Sequence, residues 1–402
     1  LNLFKRLKVL GPALVLAAVV LGPGSLTLST IAGSVYGYRL LWIPVVATVF
    51  MLTYTWMSAK IGLVTGETLF QVSRRKYGPV VTGLAGLFGF LAILAFQAGN
   101  TAAIGFAAQA FLGSDVRLWA ALFYLIALGL LFLPDLYPKL EILVKFFVGM
   151  MILSFVGTLF VVGVDTGQAV RGLLPGFPNP AAIFLGLGIV ATTFPVVAAV
   201  YQTYLMREKQ WGVEQLREEG FESFVGIFIL GAIATVILLT SAGAIHGVID
   251  PVFSAEGMAL QLEPLAGPAA FYLFTIGFFF ASISSMIVNP LIGATLLVDG
   301  FNQDASMNAR PVKIWTAVAL TAGLAVVFIF RGSPIEILRI AQAMTIIAFP
   351  LLGFLVLAIA NDTDIMGEYR NSLRTNILGI LGYLTILGIV FNYLRTVIEM
   401  VR

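Results

Sequence analysis

Four stretches of this chain carry no Asp, Glu, Lys or Arg: residues 11–35, 80–114, 182–206 and 265–298. Each is longer than the roughly 20 apolar residues that take a helix across a bilayer. A chain built this way has lipid as its solvent. Composition agrees, since 59% of the 402 residues are hydrophobic and 11% are charged, against roughly 25% charged in soluble domains. The absence of cysteine excludes a disulfide framework and a thiolate metal or redox site, and the single His246 excludes a histidine cluster. A net charge of +3 spread over short loops is a topology signal rather than a nucleic-acid surface.

Apolar runs between charged or Pro/Gly-rich breaks predict eleven membrane helices near 11–36, 41–64, 80–112, 117–134, 141–164, 182–206, 223–247, 266–298, 312–330, 335–360 and 374–398. The run that follows Lys5, Arg6 and Lys8 is too long for a cleaved signal peptide and is read as the first permanent helix. With that end inside, 16 Lys and Arg fall on inner segments and 7 on outer ones. The positive-inside bias therefore predicts a cytoplasmic N-terminus and, after an odd number of helices, an external C-terminus. Trp42 and Trp119 fall near outer helix ends and Trp315 near an inner one, as an aromatic belt places them. The mixed-charge stretch 207–222, with Trp211, suggests a short interfacial helix, and 248–265 an outer loop with a helical turn.

Two of these helices contain breaks in matching positions. Gly22-Pro23-Gly24-Ser25 interrupts the first and Pro195 the sixth, each about twelve residues in and 172 residues apart. Proline removes a backbone donor and clashes with the preceding turn, and glycine weakens the helix further. The offset is about the length of a five-helix unit. Five is odd, so the second unit enters the membrane inverted. Paired, interrupted helices mark a transporter's substrate site, because unwound backbone exposes carbonyls and amides to a ligand.

The residues around these breaks resemble the Nramp family of divalent-metal transporters, over nearly the whole chain. Gly11-Pro12 opens the first helix as in that family, and Ile31-Ala32-Gly33 with Tyr36-Gly37-Tyr38 closes it. Lys60 through Gly66 resembles the family's segment after the second helix, and Leu140-Glu141 the opening of the fifth. Leu174-Pro175, the span from Ala281 to Phe301, Gln342 and Met366-Gly367 follow in the family's order. The resemblance implies an all-α, LeuT-like fold of the APC superfamily. It would form a single transmembrane domain over 1–402: a 5+5 inverted repeat, about 11–164 and 182–360, plus one extra helix at 374–398.

The same resemblance exposes departures. The family's first-helix motif is Asp-Pro-Gly-Asn, whose Asp and Asn bind metal; Gly22 and Ser25 stand there. Its sixth-helix Met-Pro-His becomes Phe194-Pro195-Val196, and a second histidine aligns with Tyr201. The third-helix Asp and Glu linked to proton movement align with Gln97 and Asn100. Ala191, whose counterpart offers a carbonyl, and Gln342 are retained. Together with Thr192 beside the break, these give the substrate-site candidates Gly22, Ser25, Ala191, Thr192, Phe194, Val196 and Gln342. Gln97, Asn100 and Tyr201 are the former proton-path positions. Gly22, Ser25 and Phe194 supply no strong metal ligand. Gln97 and Asn100 sit one turn apart and are read as sharing a face, either lining a cavity or bonding between helices.

Dehydrating a divalent cation without a carboxylate is very unfavourable, and soft selectivity needs a ligand such as methionine sulfur. The expectation is therefore an Nramp-related secondary transporter of an inorganic, divalent metal cation. It would work by alternating access, with an altered site, a largely hydrated ion and no proton coupling. A transporter of a neutral or organic solute on the same fold is the alternative, and a non-transporting sensor a third reading. Without paired carboxylates, a Ser/His pair or a metal motif, no enzyme is expected. No cofactor and no nucleic acid are implied; the partners are the bilayer and the transported ion or solute, with oligomeric state open. Asn289-Pro290 is read as a kink, His246 as interfacial, Glu336 with Arg339 as an outer ion pair. The groups Glu67 with Arg74 and Arg75, and Glu141 with Lys139 and Lys145, are read as solvated flanks or an inner network.

Overall fold

Each of the eleven apolar runs has a helical counterpart in the computed structural model, which describes residues 22–132, 137–247, 255–330, 336–337, 340–341 and 344–401. In order these are α1 (Pro23–Tyr36), α2 (Trp42–Thr65), α3 (Leu69–Leu112), α4 (Val116–Leu130) and α5 (Tyr137–Val162), then the short α6 (Thr166–Gly172). There follow α7 (Pro180–Thr193), α8 (Val196–Glu208), α9 (Leu216–Ala244), α10 (Ala270–Gly300), α11 (Arg310–Ile329), α12 (Phe349–Ala360) and α13 (Leu373–Val401). No strand occurs among the described residues. Six helical stretches there are long and apolar enough to cross a membrane without a sharp bend, and three more apolar helices are shorter. Lys5, Arg6, Lys8, Gly11-Pro12, Gln342 and Arg339 lie outside the described residues, as do the side chains of Lys139, Glu141 and Lys145.

Three element boundaries differ from the sequence reading. The third helix begins about three turns earlier, at Leu69, and turns at Gly78, whose φ of 82° and ψ of 171° suit a residue without Cβ. Thr68 fixes that start: its hydroxyl accepts from Gln71 N and its N–H donates to Gln71 Oε1, a reciprocal capping box. The stretch 207–222 holds no separate interfacial helix. After a tight turn at Val213–Gln215 it already forms the first turns of α9. Finally, α10 runs on to Gly300, which brings Asp299 onto a membrane helix that the sequence left without an ionisable group. Pro290 lies within α10 without ending it. Beyond Gly78, the 34 remaining residues of α3 rise about 50 Å, more than the roughly 30 Å of hydrocarbon, so this helix tilts or projects.

Between helices in lipid there is little hydrophobic drive, so association depends on close backbone approach and interhelical hydrogen bonds. Small residues supply the first. A Cβ at Gly33 would lie 2.4 Å from Leu238 O, so α1 is pressed onto α9, where Ser241 Oγ also donates to Thr30 O at 2.7 Å. On the other half, Gly62 of α2 sits against Thr203 and Met206 of α8. The contact of α9 with α1 thus mirrors that of α2 with α8, and α3 pairs with α10, the pairing two inverted five-helix units produce. The α3–α10 seam closes on Gly86, whose Cβ would lie 2.8 Å from Leu296 O and 3.1 Å from Gly300 Cα.

Thermal unfolding in detergent tests this seam. Gly86→Val should destabilise by about 1–3 kcal/mol through overpacking, whereas Gly83→Ala, whose added carbon meets the Phe301 ring at an ordinary 3.5 Å, should stay near wild type. Equal effects would contradict the close approach.

Candidate functional site

The sixth apolar run breaks where its proline requires. Phe194 leaves the helical region at φ −124°, ψ 63°, and Pro195 is extended at φ −71°, ψ 100°. Phe194 N still donates to Val190 O at 2.7 Å, but Pro195 has no N–H for Ala191 O. The C-terminal carbonyls of α7 and the first amides of α8 thus meet at one level, with dipole ends of opposite sign. At the first predicted break the described residues begin with Gly22, the extended N-cap of α1 (φ −83°, ψ 172°) with no side chain to cap it, and Pro23 occupies the first helical position.

Between these two breaks lies a cavity of about 50 Å³, room for a few water-sized particles. Gly22, Gly24 and Ser25 of α1, Thr192 and Pro195 at the break, Tyr201 of α8, Asn100 of α3 and Asn289 of α10 line it, with Ile93, Phe96, Val197, Ala198 and Ile292 as its apolar wall. Among the described residues no lining side chain is charged. Asn100 is 1% exposed and its Nδ2 has no partner, so an amide donor is held in the cavity wall without a protein acceptor. A Cβ on Gly22 would point at Ser285 Oγ, 2.9 Å away, and at Asn100 Oδ1, 4.0 Å away. The Gly22 position thus faces two neutral oxygens across a gap that glycine leaves open. Among the described residues no group of three or more His, Asp or Glu side chains could hold a metal ion.

Of the ten positions singled out in sequence, Gly22, Ser25, Asn100, Thr192 and Tyr201 meet at this cavity. Ala191, Phe194 and Val196 line a smaller adjoining one. Phe194 does not point between the breaks: it packs on Tyr54, Phe349 and Phe50 at ring-centroid distances of 5.0, 5.2 and 6.4 Å. Gln97 parts from Asn100. Its chain lies over Gly323 of α11, and Nε2 donates to Thr101 Oγ1 at 3.3 Å, so these two amides do not share a face. A shift of three residues turns a helix by about 300°, enough to send one amide to the cavity and the other to α11. Thr192 Oγ1 donates to Ile189 O at 3.1 Å, bonding back into its own helix. Gln342 lies outside the described residues, and with it the pairing of Glu336 with Arg339. Asn289, read as part of a kink, is a lining residue instead; one turn of α10 separates it from Ser285.

A second polar cluster, missed in sequence, lies one turn further along α8. Asp299, 3% exposed, accepts from Thr68 Oγ1 and Tyr204 Oη, both at 2.6 Å, and pairs with Arg74 at 3.5 Å. Arg74 also donates to Asp299 O and to Asn302 Oδ1. Leu69 N donates to Thr203 Oγ1 at 3.1 Å. These bonds tie α8 to the start of α3 and the end of α10. Tyr201 stacks on Tyr204 with centroids 5.4 Å apart, which joins the cavity wall to the cluster directly. Around it, Glu67 pairs with Arg75 at 2.6 Å and Lys76 with Asp362, so the predicted flank is an ion-pair network. Asp299 and Tyr204 are recognisable as partners only once α8 and α10 are side by side. On the opposite side, Asp165 caps α6. The N–H and side-chain amide of Gln168 hold its carboxyl below the ordinary range. His246 is not simply interfacial: its Nδ1 lies 2.8 Å from Ser34 O, at the end of α1.

The model of the Nramp family, described as natural resistance-associated macrophage protein-like, matches residues 13–396. The divalent metal cation transporter MntH of Aeromonas hydrophila is 29% identical over 399 residues, covering 96% of this chain and 94% of that protein. Among solved structures, the manganese transporter of Eremococcus coleocola, in complex with an aromatic bis-isothiourea substituted compound, superposes with a TM-score of 0.80. It is 17% identical and is matched over 96% of this chain and 86% of its own. The nucleobase-cation-symport-1 transporter Mhp1 superposes with a TM-score of 0.59 at 15% identity, over 91% and 80% of the two chains. The fold is therefore the LeuT-like one, with its inverted repeat.

A double-mutant cycle tests the Asp299 cluster. Hydrogen bonds to a charged group contribute about 1.5–3 kcal/mol, so Tyr204→Phe and Asp299→Ala should each lower unfolding stability in detergent. Their coupling should be about 0.5–3 kcal/mol. Additive effects would place the hydroxyl off the carboxylate.

Proposed function

The chain belongs to the Nramp family, and from that premise we propose that it carries an inorganic, divalent metal cation across the membrane through the cavity between its two helix breaks. The observation that supports this reading is the cavity itself: broken-helix backbone, the hydroxyl-bearing Ser25, Thr192 and Tyr201, and the amides of Asn100 and Asn289 converge on a space of about 50 Å³. That is well below the roughly 300–1,000 Å³ of an organic-ligand pocket. The protein is an integral membrane protein of a transporter family; the positive-inside bias supports a cytoplasmic N-terminus and, with an odd number of helices, an external C-terminus.

An ion at this place meets no formal negative charge. The α7 carbonyls present the negative end of a helix dipole, worth a fraction of a charge, and the hydroxyl and amide oxygens add neutral donors. Such a set does not replace the full hydration of a divalent ion, so the ion keeps much of its water and strips only part on entry. Hard cations fit this set; manganese or iron gains no advantage, because no sulfur reaches the cavity and Phe194 is turned away from it. With neutral Gln97 and Asn100 at the former proton-path positions, transport runs down the ion's own gradient without a proton.

Access alternates by movement of α8. The Tyr201–Tyr204 stack leads from the cavity to Asp299, so the bonds from Tyr204 and Thr68 must break before α8 can swing from α3 and α10. With these bonds made, the cytoplasmic path is closed.

Proteoliposome uptake is the direct test. Mg²⁺, Ca²⁺ or Mn²⁺ should enter, with little discrimination against the hard ions, and an imposed proton gradient should leave the rate unchanged. Uptake of amino acids but of no divalent ion would overturn the reading. Restoring a carboxylate gives a second test: Gly22→Asp combined with Ser285→Ala, which clears the 2.9 Å contact, should raise Mn²⁺ affinity at least about tenfold, or 1.4 kcal/mol. Gly22→Asp alone should do less.

A further inference from the structure

The membrane face of α11 carries a trough that transport does not use. Its floor is a stripe of small residues at four-residue steps, Ala317, Thr321 and Ala325, with Ala322 beside them, and Val318 forms a rim. Tyr124 of α4 meets Thr321 Oγ1 at 3.0 Å, so α4 packs beside the trough, whose lining includes Phe132 past the end of α4. The space has a volume of about 920 Å³. At one end only, the lining turns polar: Asn308, Arg310 and Lys313. Among the described residues no acidic side chain lines it. Ala309, the N-cap of α11, offers no side-chain oxygen to the first amides of the helix.

Length and charge together define what fits. From Lys313 to Ala325 the helix rises about 18 Å, close to half of the roughly 30 Å hydrocarbon core. An apolar trough one leaflet long, with a guanidinium and an ammonium at its headgroup end, matches an acyl chain below a phosphate. By the charge bias, that end lies at the cytoplasmic leaflet.

We propose that this trough is a binding site for one anionic phospholipid, its phosphate between Arg310 and Lys313 and an acyl chain along the alanine stripe. The site is separate from the cavity between the helix breaks and independent of which ion is carried. The lipid lies along the outer face of α11, whose other side packs on α3, where Gly323 receives Gln97.

Native mass spectrometry of the detergent-purified chain tests this, with phosphatidylglycerol and phosphatidylcholine as probes. Wild type should retain one phosphatidylglycerol at least tenfold more tightly than phosphatidylcholine. Arg310→Gln with Lys313→Gln should remove that preference while leaving phosphatidylcholine binding unchanged. Ala322→Phe keeps both cations but fills the trough, and should weaken both lipids; it carries the test if the double variant fails to fold. Millimolar inorganic phosphate should not displace the lipid. Undiminished preference in the double variant would overturn the site. Displacement by phosphate would make it an anion site rather than a lipid site. A dimer that excludes phosphatidylglycerol from the trough would show that a second copy is the occupant. Either of these two results also defeats the proposal.

Discussion

A backbone group buried in hydrocarbon must find a partner inside the protein, and the break at Pro195 and the uncapped start of α1 at Gly22 are where this chain departs from that rule. Pro195 cannot donate, and Gly22 begins α1 with no capping side chain. The orphan carbonyls and amides that result are tolerated only where they face a polar cavity rather than lipid. The rest of the architecture serves that condition. Gly33 and Gly62 let α9 and α2 close tightly over the broken helices, and the α3–α10 seam closes behind them through Gly86. Loosening any of these contacts would expose unpaired backbone in the membrane interior.

What fills the cavity follows from its charge. In the relatives that the sequence resembles, a carboxylate and a thioether meet the ion; here Gly22 leaves a gap beside Ser285 and Asn100, and Phe194 has joined Tyr54, Phe50 and Phe349 in an aromatic cluster. A buried carboxylate beside α8, Asp299, lies away from the cavity, where Tyr204 and Thr68 satisfy it. In the proposed mechanism, charge serves the closure of the cytoplasmic side and neutral oxygen serves the ion. The weak, partly hydrated binding proposed for such a site suits an abundant hard cation.

Much of this was legible in the sequence because membrane helices announce themselves by length and by the absence of charge. Pro195 and Gly22-Pro23 marked the breaks for the same reason, since their effect is local. The site was only half legible. Ser25, Asn100, Thr192 and Tyr201 line the cavity as neighbours of the breaks, but the rotation of α3 sends Gln97 to Gly323, and the direction of Phe194 depends on rings from α2 and α12. Asp299 went unnoticed because a single acid at a helix end looks like a solvated flank; its burial arises only when Thr68 and Tyr204 close on it. The capping box at Thr68 could have shown the true start of α3, as Thr and Gln stand three residues apart there.

The claim on which the rest stands is that the neutral cavity between the breaks is the path of the ion. The chain has no cysteine, so a single Ala198→Cys variant places one thiol in the cavity wall with no background reaction. Its alkylation in proteoliposomes should abolish divalent uptake, and the transported ion at saturating concentration should slow the modification. Full uptake by the alkylated protein would contradict that claim.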